Sequence, residues 1–112
     1  MISDPKVSKA VKELIAAMKE TDTYREYEAC RKKVMSDPEL SRSIKRTRII
    51  REQLNKMSDS ERNSASAEAL ENEYDELCDI TGVHKFSLAE LEVCEMYQNI
   101  MAEVVSNVDI NL

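Results

Sequence analysis

The stretch SDPKVS at residues 3–8 returns almost unchanged as SDPELS at residues 36–41, 33 residues later. Several helical repeat families have a period of about this length. The residues that follow the two copies match poorly, however, and the sequence near residue 69 is no third copy. Each copy has the pattern of a helix start, because Asp is a good N-cap and Pro is favoured at the first helical position. The pattern therefore predicts separate helices and not a repeat array.

The composition of the chain favours helices throughout. Its 112 residues include one Gly, two Pro, no Trp and one Phe, and 34% of them are charged. A sheet protein needs more turn formers and more β-branched or aromatic residues, whereas Glu, Lys, Arg, Ala, Leu and Met lose little side-chain freedom in a helix. The length suits one domain with a modest core. We expect an all-α fold, a small bundle of about five helices that forms one domain over residues 1–112.

The cysteines and the hydropathy of the chain indicate where it works. No stretch is apolar enough to cross a membrane, and the N-terminal residues lack the pattern of a signal peptide. The three cysteines are an odd number without close pairing, which argues against a disulfide framework. These features predict a cytoplasmic protein in a reducing compartment.

Apolar periodicity and cap residues divide the chain into helices. The fourth helix, which begins after SDSE at residues 58–61, is expected to stop at Gly82, the only glycine. His84, the only histidine, would then lie in a loop. The predicted helices cover residues 5–20, 23–35, about twenty residues from 38, 61–80, and 86–108.

The last predicted helix has an unusually wide apolar face. Its apolar residues cover about half of its circumference, more than one side of a small bundle requires. The alternative is a central core helix inside a monomer. We favour a helix that is partly covered by another subunit, in a homodimer or higher oligomer, because so small a chain has little else to cover it. The candidate interface residues are Val93, Tyr97, Ile100, Met101, Val104 and Val108.

Charge is segregated between the third and fourth predicted helices. Residues 42–56 contain six basic residues and one acidic residue, whereas residues 59–79 contain eight acidic residues and one basic residue. A short loop joins the two helices, so they are expected to form an antiparallel hairpin. The alternative is that most of these charges are simply solvated, since exposed ion pairs contribute only about 0–1 kcal/mol each.

The outer face of the third predicted helix carries an apolar residue among cations. The helical period places Ile49 opposite the apolar stripe of this helix. An apolar residue ringed by basic side chains suits a surface that meets an acidic protein or nucleic-acid phosphates, although a single exposed Ile is also ordinary. The candidate partner-binding residues are Arg42, Lys45, Arg46, Ile49, Gln53 and Lys56.

The sequence contains no recognisable catalytic pattern. His84 has no Ser or Cys arrangement that suggests a triad, and a single glycine cannot build a Gly-rich phosphate loop. The three cysteines form no C-x-x-C motif, and each lies on or near an apolar stripe. We interpret them as buried structural thiols, with no cofactor or metal and no enzymatic activity. The alternative is that Cys30, Cys78 and Cys94 converge, or combine with ligands of another chain, to hold an iron–sulfur cluster.

The order of these features resembles the YlbF/YmcA family of small helical regulators. The resemblance begins with the Y-x-x-Y of TDTYREYEACRKKVMSDPEL at residues 21–40, which an Asp-Pro helix start follows. It continues into FSLAELEVCEMYQNIMAEVV at residues 86–105, where the family has an aromatic residue, then Ala-Glu, then a long apolar helix. It spans the chain from about Val7 to Val108, and its motifs are mostly helix caps and core positions.

The resemblance implies a regulatory role. Members of the family are bacterial control-of-competence proteins that also act on sporulation and biofilm formation. Some assemble with paralogous partners and with ribonuclease Y to affect RNA processing, and iron–sulfur clusters are known for such assemblies. No cysteine follows Cys94 in this sequence, so we expect no ligand-bearing C-terminal tail, which argues against cluster binding by this member.

Two functional hypotheses follow. The first is a non-catalytic adaptor that associates with proteins through its helices, a ribonuclease among them, while direct contact with RNA is left open. The second is a cysteine-ligated component of a hetero-oligomer that senses redox conditions through an iron–sulfur cluster. Iron content after anaerobic purification distinguishes the two.

Overall fold

The computed structural model of the protein describes residues 2–108. These residues form helices and connecting turns and contain no strand, so the prediction of an all-α fold is confirmed. The helices are α1 (Pro5–Lys19), α2 (Asp22–Ser36), α3 (Pro38–Asn55), α4 (Asp59–Arg62), α5 (Ala65–Cys78) and α6 (Thr81–Val108).

Both SDP motifs start helices as predicted. The Asp4 carboxylate accepts hydrogen bonds from the backbone amides of Lys6 and Val7, at 2.9 and 3.1 Å, at the start of α1. The Asp37 carboxylate accepts from the two corresponding amides at the start of α3, at 3.1 and 3.2 Å. The repeat in the sequence is therefore a repeated helix cap, which satisfies amides that have no partner within the helix.

The single helix predicted for residues 61–80 is two helices. Ser58 and Glu61 form a reciprocal capping box that starts the four-residue α4. A second cap follows at once, because the Ser64 hydroxyl accepts a hydrogen bond from the Ala67 amide at 3.2 Å and starts α5. Two serine caps this close together give the chain a short turn of helix before the longer one.

Gly82 does not end a helix, and the predicted start of the last helix near residue 86 is too late. The helix α6 begins at Thr81, so Gly82 is its second residue and His84 is helical. The methyl carbons of Leu40 lie 2.9 Å from the position that a Cβ atom on Gly82 would occupy. The missing side chain of Gly82 thus leaves room for Leu40 of α3 beside α6, which the position of the glycine in the sequence does not reveal.

The chain divides into two compact units. We call residues 30–88 the central unit, and residues 2–29 together with 89–108 the terminal unit. Both boundaries fall inside helices, α2 and α6, which each contribute residues to both units. The prediction of one domain over residues 1–112 stays a prediction.

The core of the central unit forms where α3 packs against α5. Ile50, Leu54 and Ala67 are buried at its centre. Arg46 in the first half of α3 pairs with Glu73 late in α5, so the two helices run antiparallel, as the charge pattern predicts. Partly buried side chains surround the buried cluster, namely Met57, Leu70, Tyr74 and Leu77.

The N-terminal third of α6 completes the central unit. Val83 and Phe86 are buried there, and the guanidinium carbon of Arg48 lies 5.9 Å from the centroid of the Phe86 ring. The Cys30 thiol, at the start of the central unit, donates to the Lys85 carbonyl at 4.0 Å. Residues from α2, α3 and α6 are thus held together around this second cluster of buried side chains.

The terminal unit has almost no core. Ala89 is its only buried residue among those that the structure describes, and α1 has none at all. The apolar stripe of α1 is exposed at Val7 and Leu14 and half-buried at Val11 and Met18. The terminal unit therefore leaves exposed part of the apolar surface whose burial normally stabilises a helical fold.

Candidate protein-interaction surfaces

The partner-binding residues predicted from the sequence lie on one side of α3. We call this set the α3 outer surface. Ile49 stands at its centre with 47% of its area exposed, and Lys45 and Gln53 are one turn before and after it. All members except Arg46 are classed as exposed. The α3 outer surface comprises Arg42, Lys45, Arg46, Ile49, Gln53 and Lys56.

Arg46 is held by α5. Its Nε donates to Glu73 Oε2 at 2.6 Å and its Nη2 donates to Glu73 Oε1 at 2.9 Å, a two-point ion pair. These hydrogen bonds raise the pKa of Arg46 and lower the pKa of Glu73. Arg46 thus links α3 to α5, and its guanidinium is not a free contact for a partner.

The ion pair predicts a pH dependence of stability. The pKa of Glu73 is lower in the folded state than the ordinary glutamate pKa of 4.5, so its ionised carboxylate adds to the free energy of unfolding above that pH. This stabilisation is lost as the pH falls through the lowered pKa of the folded state. We expect Glu73→Gln to be less stable than the wild type at pH 7 and to lose less stability between about pH 5 and pH 3. Urea unfolding at these pH values measures both effects.

Glu76→Gln is the matched control for this prediction. Glu76 is exposed on the same helix and has no ion pair with another described residue. If Glu73→Gln and Glu76→Gln gave the same stability at pH 7 and the same acid dependence, the Arg46–Glu73 pair would contribute nothing measurable.

Arg42 and Lys45 supply the available positive charge of the α3 outer surface. Neither makes an ion pair with another residue that the structure describes, whereas Lys56 Nζ lies 2.9 Å from Glu52 Oε1. Both are spaced from Ile49 by one or two helical turns, which places all three side chains on the same face. The surface is therefore an exposed isoleucine next to two unpaired cations.

The predicted interface residues of α6 lie in the terminal unit. Tyr97, Met101, Val104 and Val108 are exposed, and Val93 and Ile100 are half-buried. We call these six residues the α6 apolar surface. Although α6 is 28 residues long, no helix within residues 2–108 combines the length and the apolar composition that a bilayer span requires.

An apolar groove adjoins this surface within the terminal unit. It has a volume of about 380 Å³ and is lined by residues of α1, α2 and α6. The sequence did not predict this groove, because helical periodicity shows the apolar stripe of α1 but not what lies beside it. The apolar pair Leu14 and Ile15, which widens that stripe, was the available signal. The lining residues are Ile15, Met18, Lys19, Tyr24, Val93, Cys94, Met96, Tyr97 and Gln98.

The three thiols differ in their surroundings. Cys30 is buried, Cys78 is half-buried next to Tyr74, and Cys94 is exposed, so Cys94 is not the core thiol that the sequence suggested. No three His, Cys, Asp or Glu side chains within residues 2–108 are grouped so that they hold a metal ion. The cysteines of one chain therefore do not fit a cluster site, and a cluster would need ligands from other chains.

Burial predicts the order in which the thiols react. Cys30 is expected to react with a thiol reagent far more slowly in the native state than in denaturant, because the reagent must reach a buried sulfur. Peptide mapping after brief labelling measures each site, with exposed Cys94 as the internal comparison. Rapid labelling of Cys30 would contradict the structure, and stoichiometric iron that disappears with Cys30→Ala would show that this thiol is a cluster ligand.

A comparison with protein families identifies the chain. The family model described as control of competence regulator ComK, YlbF/YmcA, matches residues 7–109. The chain belongs to the YlbF/YmcA family. The match includes the α3 outer surface and the α6 apolar surface, and the resemblance noted in the sequence is confirmed. No curated protein and no solved structure is significantly similar to this chain.

Proposed function

We propose that this YlbF/YmcA protein is a non-catalytic regulatory adaptor of the cytoplasm, which acts by binding other proteins through its helices. Membership of a family of competence regulators supports a regulatory role. The observation that carries the proposal is the terminal unit, where Ala89 is the only buried residue described and the apolar faces of α1 and α6 are exposed. Such faces are typical of helices that pack against other chains.

The first partner in this proposal is another copy of the chain. Burial of apolar side chains is the main term that offsets the entropy lost when a chain is ordered. In the terminal unit Ala89 is the only buried residue described, and the other apolar side chains of α1 and α6 are half-buried or exposed. A symmetric homodimer or higher oligomer would cover the α6 apolar surface and the adjoining groove. These apolar side chains would then be buried between subunits. Paralogous family members with similar helices would fit the same surface.

The second partner is a regulated protein that docks on the α3 outer surface. An acidic protein surface complements Arg42 and Lys45, and its apolar residues would cover Ile49. The family supports an RNA-processing enzyme such as ribonuclease Y as this partner. RNA itself is disfavoured, because the surface holds two unpaired cations and an isoleucine where an RNA-binding surface needs many phosphate contacts and stacking aromatics.

A reconstituted assay tests this function. Purified protein, alone and mixed with its paralogues, is titrated against ribonuclease Y, and both binding and the cleavage pattern of a structured RNA are recorded. The proposal expects saturable binding and an altered cleavage pattern, with no cleavage by the adaptor alone. Cleavage by the adaptor alone, or binding to RNA but not to the enzyme, would overturn it.

A further inference from the structure

A small cleft lies in the central unit at the point where α3 ends and the chain turns back through α4 into α5. Its volume is about 200 Å³. Side chains that donate hydrogen bonds form most of its lining, and Leu54 forms an apolar wall. The lining residues are Arg51, Leu54, Asn55, Arg62 and Tyr74.

Arg62 is positioned in this cleft by the backbone. Its Nη1 donates at 3.0 Å to the Leu54 carbonyl, which also accepts from the Met57 amide at 3.2 Å where α3 ends. Its Nη2 lies 3.5 Å from Glu71 Oε1, a longer and partly exposed contact. A guanidinium has five N–H donors in a planar arrangement, so these two contacts orient Arg62 and leave further donors for a ligand.

Arg51 and Tyr74 face the same cleft from α3 and α5. Arg51 makes no ion pair with another described residue, and it is one helical turn before Asn55, which places both on the same side of α3. Burial, and then the neighbouring Cys78, raise the pKa of Tyr74. The phenol is hydrogen-bonded to Cys78 and lines the cleft from α5.

Charged side chains of both signs surround the cleft. Two guanidinium groups line it, and the one nearby carboxylate that pairs with them is Glu71, through Arg62. Asp75 adds negative charge near Tyr74 but is exposed on α5 and does not line the cleft. Two guanidiniums on a partly enclosed surface are the arrangement that recognises the oxygens of phosphates and carboxylates.

We propose that this cleft binds an oxyanion, the phosphate or carboxylate group of a small ligand, through Arg51 and Arg62. Asn55 supplies a further donor, and Leu54 and the Tyr74 ring contact an apolar part of the ligand. A bound oxyanion bridges the end of α3 to α4 and α5, so its binding stabilises the fold of the central unit in proportion to its occupancy. This site is separate from the α3 outer surface and the α6 apolar surface.

Amide NMR titrations of the full chain test the proposal. The probes are inorganic phosphate, acetate and a nucleoside monophosphate, each compared with sodium chloride at equal ionic strength. We expect saturable shifts centred on Arg51, Asn55, Arg62 and Tyr74, and a higher melting temperature with the tightest probe. Preference for the nucleoside monophosphate indicates a phosphorylated metabolite, and preference for acetate indicates a carboxylate ligand.

Two variants and one control assign the binding to the cleft. Arg51→Ala is expected to raise the Kd at least about tenfold, since a charged hydrogen-bond donor is lost, and Tyr74→Phe to raise it less. Arg42→Ala removes the same charge from the outer side of α3 and should change the Kd less than about twofold. The proposal is overturned if the shifts do not saturate, if chloride reproduces them, or if Arg51→Ala and Arg42→Ala behave alike.

Discussion

Changing Val104 to glutamate is expected to convert the predicted oligomer into a folded monomer. Val104 is 45% exposed in the single chain, so water can solvate the new carboxylate as long as the chain is alone. In an oligomer that covers the α6 apolar surface, the same carboxylate would be buried without a partner. Such a burial costs about 3–5 kcal/mol, which weakens the association by at least about 100-fold.

Ala102→Glu is the matched control for this variant. Ala102 is exposed on α6, and the helical period turns it well away from Val104, so it adds the same charge outside the α6 apolar surface. Ile100→Glu should also dissociate the oligomer, but Ile100 is half-buried in the single chain, and this variant would unfold the chain as well. Val104→Glu therefore separates loss of association from loss of folding.

Light scattering at tens of micromolar protein measures the mass, and circular dichroism measures the helical content. The expected result is an oligomer for the wild type and Ala102→Glu, and a monomer with unchanged helical content for Val104→Glu. A monomeric wild type would refute self-association through α6. A Val104→Glu variant with the wild-type mass would show that the interface lies elsewhere.

Changing Ile49 to aspartate is expected to abolish partner binding while the protein stays folded. Ile49 is 47% exposed and faces away from the core residues of α3, so the melting temperature should change little. At an interface with an acidic partner the aspartate would remove the central apolar contact, commonly worth about 1–2 kcal/mol or more, and add a repelling charge. We expect the Kd for the partner to rise by at least about tenfold.

Ile80→Asp controls for the chemistry of this change. Ile80 is 42% exposed in the central unit and lies outside the α3 outer surface, so its substitution should leave the Kd unaltered. Surface plasmon resonance with ribonuclease Y gives the Kd, and thermal melting monitors folding. If Ile49→Asp broke the oligomer or lowered the melting temperature by many degrees, Ile49 would be buried against another chain. If the folded variant bound the partner with an unchanged Kd, the α3 outer surface would be exposed to solvent and would not contact the partner.

The cations of the same surface are expected to act mainly on the association rate. Arg42 and Lys45 changed together to Ala should weaken binding more at low salt than at high salt, because exposed charges are screened. Arg46 is left unchanged in this variant, since its bond to Glu73 holds α5 against α3. A salt dependence equal to that of the wild type would mean that neither cation contacts the partner.

Local chemistry explains why much of the fold could be predicted from the sequence. An Asp-Pro start satisfies free amides with its own side chain, so Asp4 and Asp37 start helices whatever the rest of the chain does. The apolar stripe of α3 also follows from local sequence, through the helical period. Its members Ile44, Ile50 and Leu54 are buried. The opposite charges of α3 and α5 likewise anticipated their antiparallel packing.

The features that the sequence did not predict depend on contacts between residues far apart in the chain. Leu40 packs closely against Gly82, a contact between residues 42 positions apart. The amphipathic pattern of α1 is the same whether its stripe meets a core or another chain. The cleft at Arg51 and Arg62 exists only because α4 turns the chain back beside the end of α3. The sequence by itself determined that the chain is helical, where α1 and α3 begin and that Ile49 lies opposite the stripe of α3. Only the tertiary structure decided which apolar sides are covered and which charges are paired, because burial and ion pairing depend on neighbours that helical periodicity does not specify.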